Sequence, residues 1–438
     1  MSEAQETRDK VKWLPATALV VASMVGTGVF TSLGFQVGAV PSGPALMLLW
    51  LLGGLIALCG ALSYAELVAA IPRSGGEYRF LGVLFHPSLG WAAGVLSLVI
   101  GFAAPAAVAA LALGGYAHKV ADWLPQRGVA AAALLLAAAA HLRSVRISAR
   151  FQTATTLLKL ALIVGFIGAA FFLPGKGDVR WTPELSTDWK LVMQPAFAVS
   201  LLFVFYAYSG WNAAVYIADE VERPRRTVAM ALLAGTGMVT ALYLLVNAAF
   251  LKAAPLKEMA GVVEVGHVAA AAVFGARGAA IFSGLLSVGL MASVSALVWA
   301  GPRVMAAVGR DLPALGGLAR LNAGGVPARA TLLVTALALG FVAAGDFGNI
   351  LTYTQSGLTL CSALTVAGVF RARKLKLAPE GAFRCPWYPL PPLVFVTLSL
   401  VALAWSFADS PKPTAAGFCT CLVAWLLYFP LVMIRSRP

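Results

Sequence analysis

The polar positions of this chain gather in short gaps between long apolar runs. A helix that crosses a bilayer needs about 20 mainly apolar residues. Twelve stretches meet or approach that length: 13–33, 45–70, 88–117, 129–142, 151–173, 191–218, 227–251, 266–308, 330–345, 347–370, 386–408 and 413–434. The fourth and ninth are short, and the eighth is long enough to begin with an interfacial stretch, around Glu264 to Arg277, before its span. No long soluble insertion or charge block interrupts the series, and the Ala-rich tract 129–140 sits in a helix rather than a linker. The expectation is an all-α membrane protein of about 12 transmembrane helices forming one domain over 1–438.

Composition agrees with that pattern. Apolar residues make up 60% of the chain and charged residues 11%, where a soluble domain carries roughly 25% charged. The net charge of +14 does not point to nucleic acid, because the basic residues lie in the gaps between apolar runs and not on one face of a domain. It reads as topology. With the N-terminus inside, 22 Lys and Arg fall in intracellular segments and nine outside, and Lys159 within the fifth span completes the 32. Both termini are expected in the cytoplasm, with the protein in the cell's inner membrane. The polar start MSEAQETRDK leads straight into the first span, so no cleavable signal peptide is expected.

In hydrocarbon every backbone group must be paired, so a helix is interrupted only where the freed groups line a cavity or bind something. The first span holds Ser23, Met24, Val25, Gly26, Thr27 and Gly28 halfway along its length, and the sixth holds Tyr206, Ser209 and Gly210 at the corresponding point five helices later. A break at each would suggest an inverted repeat with a site between the halves. The second half of span 1 would present free N–H groups and a positive dipole end to a carboxylate, and unwound carbonyls would accept from an ammonium group: a zwitterion site. Glycines that only let helices pack closely are the alternative.

Lys159 lies about nine residues into the fifth span with no acidic neighbour there, and an uncompensated lysine in the bilayer costs at least about 2.5–3.5 kcal/mol. Either its ammonium points at the unwound carbonyls of span 1 in place of a sodium ion, or it loses and regains a proton during transport, or it snorkels to the cytoplasmic interface. Glu66 and the group Asp219, Glu220 and Glu222, which meets Arg223, Arg225 and Arg226, read as an intracellular gate or structural ion pairs. The five cysteines and four histidines show no metal-ligand spacing, and no phosphate-cradling loop or nucleophile elbow is present. No metal, cofactor or enzymatic activity is expected.

Gly26-Thr27-Gly28-Val29-Phe30, Ser63-Tyr64-Ala65-Glu66-Leu67 and Ile71-Pro72-Arg73-Ser74-Gly75-Gly76-Glu77-Tyr78 resemble signatures of the amino acid–polyamine–organocation superfamily. So do Ser209-Gly210-Trp211-Asn212, the segment Asp219 to Arg225, Gly309-Arg310-Asp311-Leu312-Pro313 and Pro386-Trp387-Tyr388-Pro389. Within that superfamily the chain is similar to L-type amino-acid transporter-like permeases over almost its whole length. The resemblance implies a LeuT-type fold of two five-helix inverted repeats, about 13–173 and 191–370, plus helices 11–12 at about 386–434, with helices 1 and 6 discontinuous. It places the substrate carboxylate at Thr27 and Gly28. The ammonium would meet carbonyls around Ser23, Met24 and Val25 and near Tyr206 and Ser209. It also makes Tyr206 an aromatic gate and Lys159 the lysine that fills a sodium site.

Ser209 stands where many L-type members have glycine, which favours small or medium neutral amino acids. Animal L-type carriers join a partner through a cysteine between helices 3 and 4, and residues 117–128 contain none, so no covalent partner subunit is expected.

The resulting expectation is a secondary transporter of L-amino acids working by alternating access, as a sodium-independent exchanger or a proton-coupled symporter. A polyamine or cationic amino-acid exchanger would need acidic residues facing the pocket, and the spans offer almost none. A channel would need a polar pore with a selectivity ring, and a membrane-embedded enzyme would need clustered titratable residues in the spans.

Overall fold

The computed structural model describes residues 10–143, 145–311, 315–322 and 325–430, without the side chains of 143, 145–155, 307 and 311. Arg8, Leu312, Pro313, Arg435 and Arg437 lie outside the described residues. Helices sit on the apolar stretches. Trp13–Met24 (α1) and Gly28–Gln36 (α2) share the first stretch, followed by Gly43–Ala70 (α3) and the short Gly76–Leu84 (α4). Pro87–Leu96 (α5) passes through a π-helical stretch, Ser97–Ala103, into Ala104–His118 (α6). Next come Gln126–Arg143 (α7), Val145–Phe172 (α8), Leu185–Val192 (α9) and Pro195–Tyr208 (α10), then a 3₁₀ segment, Ala213–Glu220. Pro224–Ala253 (α11), Leu256–Met259 (α12), Val265–Asp311 (α13), Gly316–Ala319 (α14), Ala328–Ala344 (α15), Phe347–Lys374 (α16), Leu390–Asp409 (α17) and Pro411–Leu426 (α18) complete the fold.

Among the described residues seven helices are long and apolar enough to cross a membrane, and the bent pair α1–α2 makes an eighth. Three shorter apolar helices cover Gln126–Leu142, Thr156–Phe172 and Ala328–Ala344. The long α16 carries Thr352, Thr354, Gln355, Ser356 and Thr359 buried along it, and these lower its hydropathy. Exposed Leu51 and Leu55 on α3, Val164 on α8, Ile281 and Val288 on α13 and Leu422 on α18 leave the outer surface apolar. A helix apolar all round belongs in a membrane or a large core, so the chain is a multi-pass membrane protein. Within α13 the backbone turns at Gly275 (φ 71°, ψ −179°), which separates the stretch beginning at Val265 from the long helix beyond.

Helix ends are set by local chemistry. Ser42 caps α3 by accepting from the Ala45 N–H at 3.3 Å, and Pro44 sits in its first turn. Asp188 of α9 accepts from the Ser42 hydroxyl (2.6 Å), the Glu184 N–H (2.7 Å) and Arg180 (3.0 Å), which fastens the 174–194 segment over the start of α3. At the other face, Val11 forms a parallel bridge with Val221: the Val11 N–H donates to the Glu220 carbonyl at 2.8 Å and the Glu222 N–H to the Val11 carbonyl at 2.9 Å. In the interior α11 packs along α1 and α3, α10 against α2 and α3, and α13 against α6 and α8. This arrangement brings the ends of α1, α2 and α10 together at mid-molecule.

Candidate functional site

The first span breaks at Val25–Thr27, with a 40° bend between α1 and α2. The Gly26 N–H folds back to the Met24 carbonyl at 2.7 Å, and the Phe30 N–H reaches the Thr27 carbonyl at 2.9 Å. Among the described hydrogen bonds none uses the Thr27 N–H. It lies at the start of α2, where orphan donors and the positive dipole end coincide. The sixth span breaks after Tyr208. Ser209 is extended (φ −56°, ψ 146°) and Gly210 adopts φ 96°, a conformation glycine takes without strain.

The two breaks touch. A Cβ on Gly28 would collide with the Ala207 backbone, and one on Gly210 would lie 2.8 Å from the Ser23 carbonyl. A Cβ added at Gly26 would meet nothing nearer than the Met24 carbonyl oxygen at 3.8 Å, so Gly26 is not a packing glycine. Thr27 Oγ1 and the Tyr206 hydroxyl, both buried, are 3.0 Å apart and join the breaks directly. The Tyr243 hydroxyl on α11 faces the Met24 carbonyl at 2.6 Å and the Ala207 carbonyl at 2.9 Å, pinning both with its single proton.

Between the breaks lies a cavity of about 350 Å³, within the size range of small-molecule sites. Of the nine residues nominated for substrate, Ser23, Met24, Gly26, Thr27, Gly28, Tyr206, Ser209 and Gly210 line it. Val25 does not: its side chain is fully buried in the core. The carbonyl inventory is also narrower than expected. Met24 already accepts from Gly26 and faces Tyr243, and Tyr206 accepts from the Ser209 N–H (3.1 Å) and hydroxyl (2.7 Å). Ser209 therefore narrows the pocket with its bulk while its proton is committed to its own helix end.

Lys159 is 1% exposed, so it does not snorkel to an interface. Nor does its ammonium reach the carbonyls of the first break. Its hydrogen bond goes to Ser293 Oγ on α13 at 3.3 Å, and Ser293, not Lys159, lines the cavity. Glu66 is a structural ion-pair partner: Arg373 donates from Nε at 2.7 Å and Nη2 at 2.9 Å, and the Cys385 N–H donates at 2.7 Å. Asp219 exchanges hydrogen bonds with Ser74 (3.1 and 2.9 Å), and neither it nor Glu220 or Glu222 is among the described ion pairs.

Sequence reasoning passed over Glu77. Gly75 (φ 121°) and Gly76 (φ 53°) make a turn on which a side chain at Gly76 would collide with the Tyr216 ring, and that turn carries Glu77 into the cavity wall. Its carboxylate accepts from the Tyr64 hydroxyl (2.8 Å), Asn212 Nδ2 (2.6 Å) and the Tyr216 hydroxyl (2.7 Å). The double glycine before an acidic residue was the available signal.

Comparison with known proteins identifies the family. The sequence pattern of the family described as amino acid permease matches residues 11–432. The chain is similar to the methylthioribose transporter of Bacillus subtilis (strain 168), 28% identical over 448 residues that cover 94% of this chain and 91% of that protein. It is similar to the Asc-type amino acid transporter 1 of Mus musculus, 24% identical across 100% of this chain and 84% of the relative. Against the cystine/glutamate transporter of Homo sapiens it is 25% identical across 100% of this chain and 88% of the relative.

Proposed function

The chain belongs to the amino acid permease family of the amino acid–polyamine–organocation superfamily, a transporter and not an enzyme, and we propose that it carries L-amino acids across the cell's inner membrane by alternating access. One observation carries the reading: two broken helices meet across a cavity that both breaks line, and no described hydrogen bond uses the Thr27 N–H at the start of α2. In this proposal the substrate carboxylate binds the Thr27 and Gly28 N–H groups, and the ammonium meets the Ser23 carbonyl beside Gly210. Tyr206, already bonded to Thr27, closes over the bound substrate. Ser209 limits side-chain bulk and favours small or medium neutral amino acids.

The proposed topology is about 12 spans in two inverted repeats, about 13–173 and 191–370, plus helices at about 386–434, with both termini in the cytoplasm and no covalent partner subunit. Lys159 supplies a fixed or exchangeable positive charge behind the cavity wall, acting on the cavity through Ser293. Transport then proceeds as sodium-independent exchange or with protons.

The test is uptake of a panel of radiolabelled L-amino acids into liposomes holding the purified protein, with and without internal amino acid and with and without an inward proton gradient. Uptake that needs internal amino acid marks an exchanger, and uptake driven by the gradient marks a symporter. Absence of uptake for every amino acid under all conditions overturns the proposal.

A further inference from the structure

Glu77 is the only charged side chain lining the central cavity among the described residues. It is 6% exposed, and the groups facing it come from three parts of the chain: Tyr64 on α3, Asn212 and Tyr216 in and beside the 3₁₀ segment after the second break, and the nearby Cys361 on α16. None of them is a cation. The two tyrosines and the amide are donors and the carboxylate accepts from each. The network positions the carboxylate without supplying a countercharge. The described ion pairs do not include Glu77 either.

A buried carboxylate is stabilised by a charged partner, and among the described residues none is paired with Glu77. The space beside Glu77 is the cavity itself, which runs from the helix breaks at Thr27 and Gly210 past Asn212 to Tyr216. A ligand whose carboxylate sits at the first break shares that cavity with Glu77.

We propose that Glu77 is a specificity-determining residue: it forms the side-chain subsite for amino acids bearing an ammonium or guanidinium group, so the cavity takes dibasic as well as neutral amino acids. The inference rests on the proposed amino-acid site and names a substrate class for it. It revises the expectation from sequence, where the spans offered almost no acidic residue to face a pocket, because Glu77 comes from the short helix α4 between spans and is carried inward by the Gly75–Gly76 turn.

The probe is a matched pair, L-arginine and L-citrulline, which have the same shape and differ in charge. Binding is read from ligand-induced thermal stabilisation of the purified full-length protein, with L-alanine and L-leucine as neutral references. Wild-type protein is expected to bind arginine at least about tenfold more tightly than citrulline, the difference a hydrogen bond to a charged group supplies. Glu77→Gln, which preserves shape, should bring the arginine-to-citrulline ratio close to one. Neutral binding with no preference for arginine in the wild type overturns the subsite and leaves the amino-acid site standing. A preference that survives in Glu77→Gln also overturns it. Failure of alanine, leucine, citrulline and arginine alike to stabilise the wild type sinks both readings.

Discussion

In the proposed site Thr27 offers a substrate its N–H while its hydroxyl is engaged with Tyr206 at 3.0 Å. Thr27→Ala and Tyr206→Phe each remove that one bond and leave the Thr27 N–H in place. A buried hydrogen bond of this kind contributes about 0.5–1.5 kcal/mol. Each variant should therefore weaken amino-acid binding several-fold while the double variant is no weaker than the worse single one, because partners in one bond are not additive. Equilibrium binding to the four proteins decides it, and full additivity would separate the two residues. Far from the site, Asp188 shows how a single carboxylate couples stability to pH. The Ser42 hydroxyl, then the Glu184 N–H and the Arg180 charge, hold its pKa below the usual aspartate value. A depressed folded-state pKa contributes stability above the unfolded value and loses it as pH falls through the folded one. The melting-temperature gap between wild type and Asp188→Asn should be widest near neutrality and narrow at about pH 3, below the ordinary aspartate range. A gap independent of pH would mean the charge contributes nothing there.

At the scale of elements the two breaks depend on different glycines for different reasons. Gly210 combines φ 96° with a Cβ direction blocked by the Ser23 carbonyl, and Gly28 faces the Ala207 backbone, whereas Gly26 has room. Uptake by Gly210→Ala and Gly28→Ala should be lost, with Gly26→Ala retaining a substantial fraction of wild-type uptake. Loss in all three would show that Gly26 is needed for backbone freedom during the transport cycle and not only in this conformation. The breaks were legible in the sequence because glycine and hydroxyl residues interrupt an apolar segment locally, and the helix positions were legible because twenty apolar residues need no tertiary context to declare themselves. Other features were not, and each depends on pairing across the fold. Glu77 meets Tyr216 over 139 residues of sequence, Lys159 meets Ser293 over 134, and Tyr243 finds two carbonyls on two different broken helices. Local pattern reports which backbone groups are freed, and only the packed fold reports which of them are already taken.

Across the whole molecule two buried charges should behave in opposite ways when removed. Glu66 is locked at the end of α3 by the Arg373 fork and the Cys385 N–H, and Arg373 lies over the Tyr388 ring with Cζ 3.6 Å from its centroid. That cluster ties α3, α16 and the 385–388 segment into one unit. Glu66→Ala leaves Arg373 charged and half enclosed with a backbone donor unpaired, which is destabilising because the remaining groups lose their partner. Among the described residues Lys159 bonds only the Ser293 hydroxyl, so its removal breaks one neutral contact and relieves a charge without a described counter-ion in the interior. Lys159→Ala is therefore expected to melt at or above the wild-type temperature and still fail to transport or lose its coupling, whereas Glu66→Ala should melt well below it. Thermal unfolding in detergent alongside liposome uptake separates the cases. A destabilised Lys159→Ala would make that lysine a structural prop. A stable Lys159→Ala with unchanged uptake and unchanged pH dependence would remove it from the transport cycle altogether, since a charge that neither holds the fold nor moves the cargo would have no function to offset its cost in the membrane.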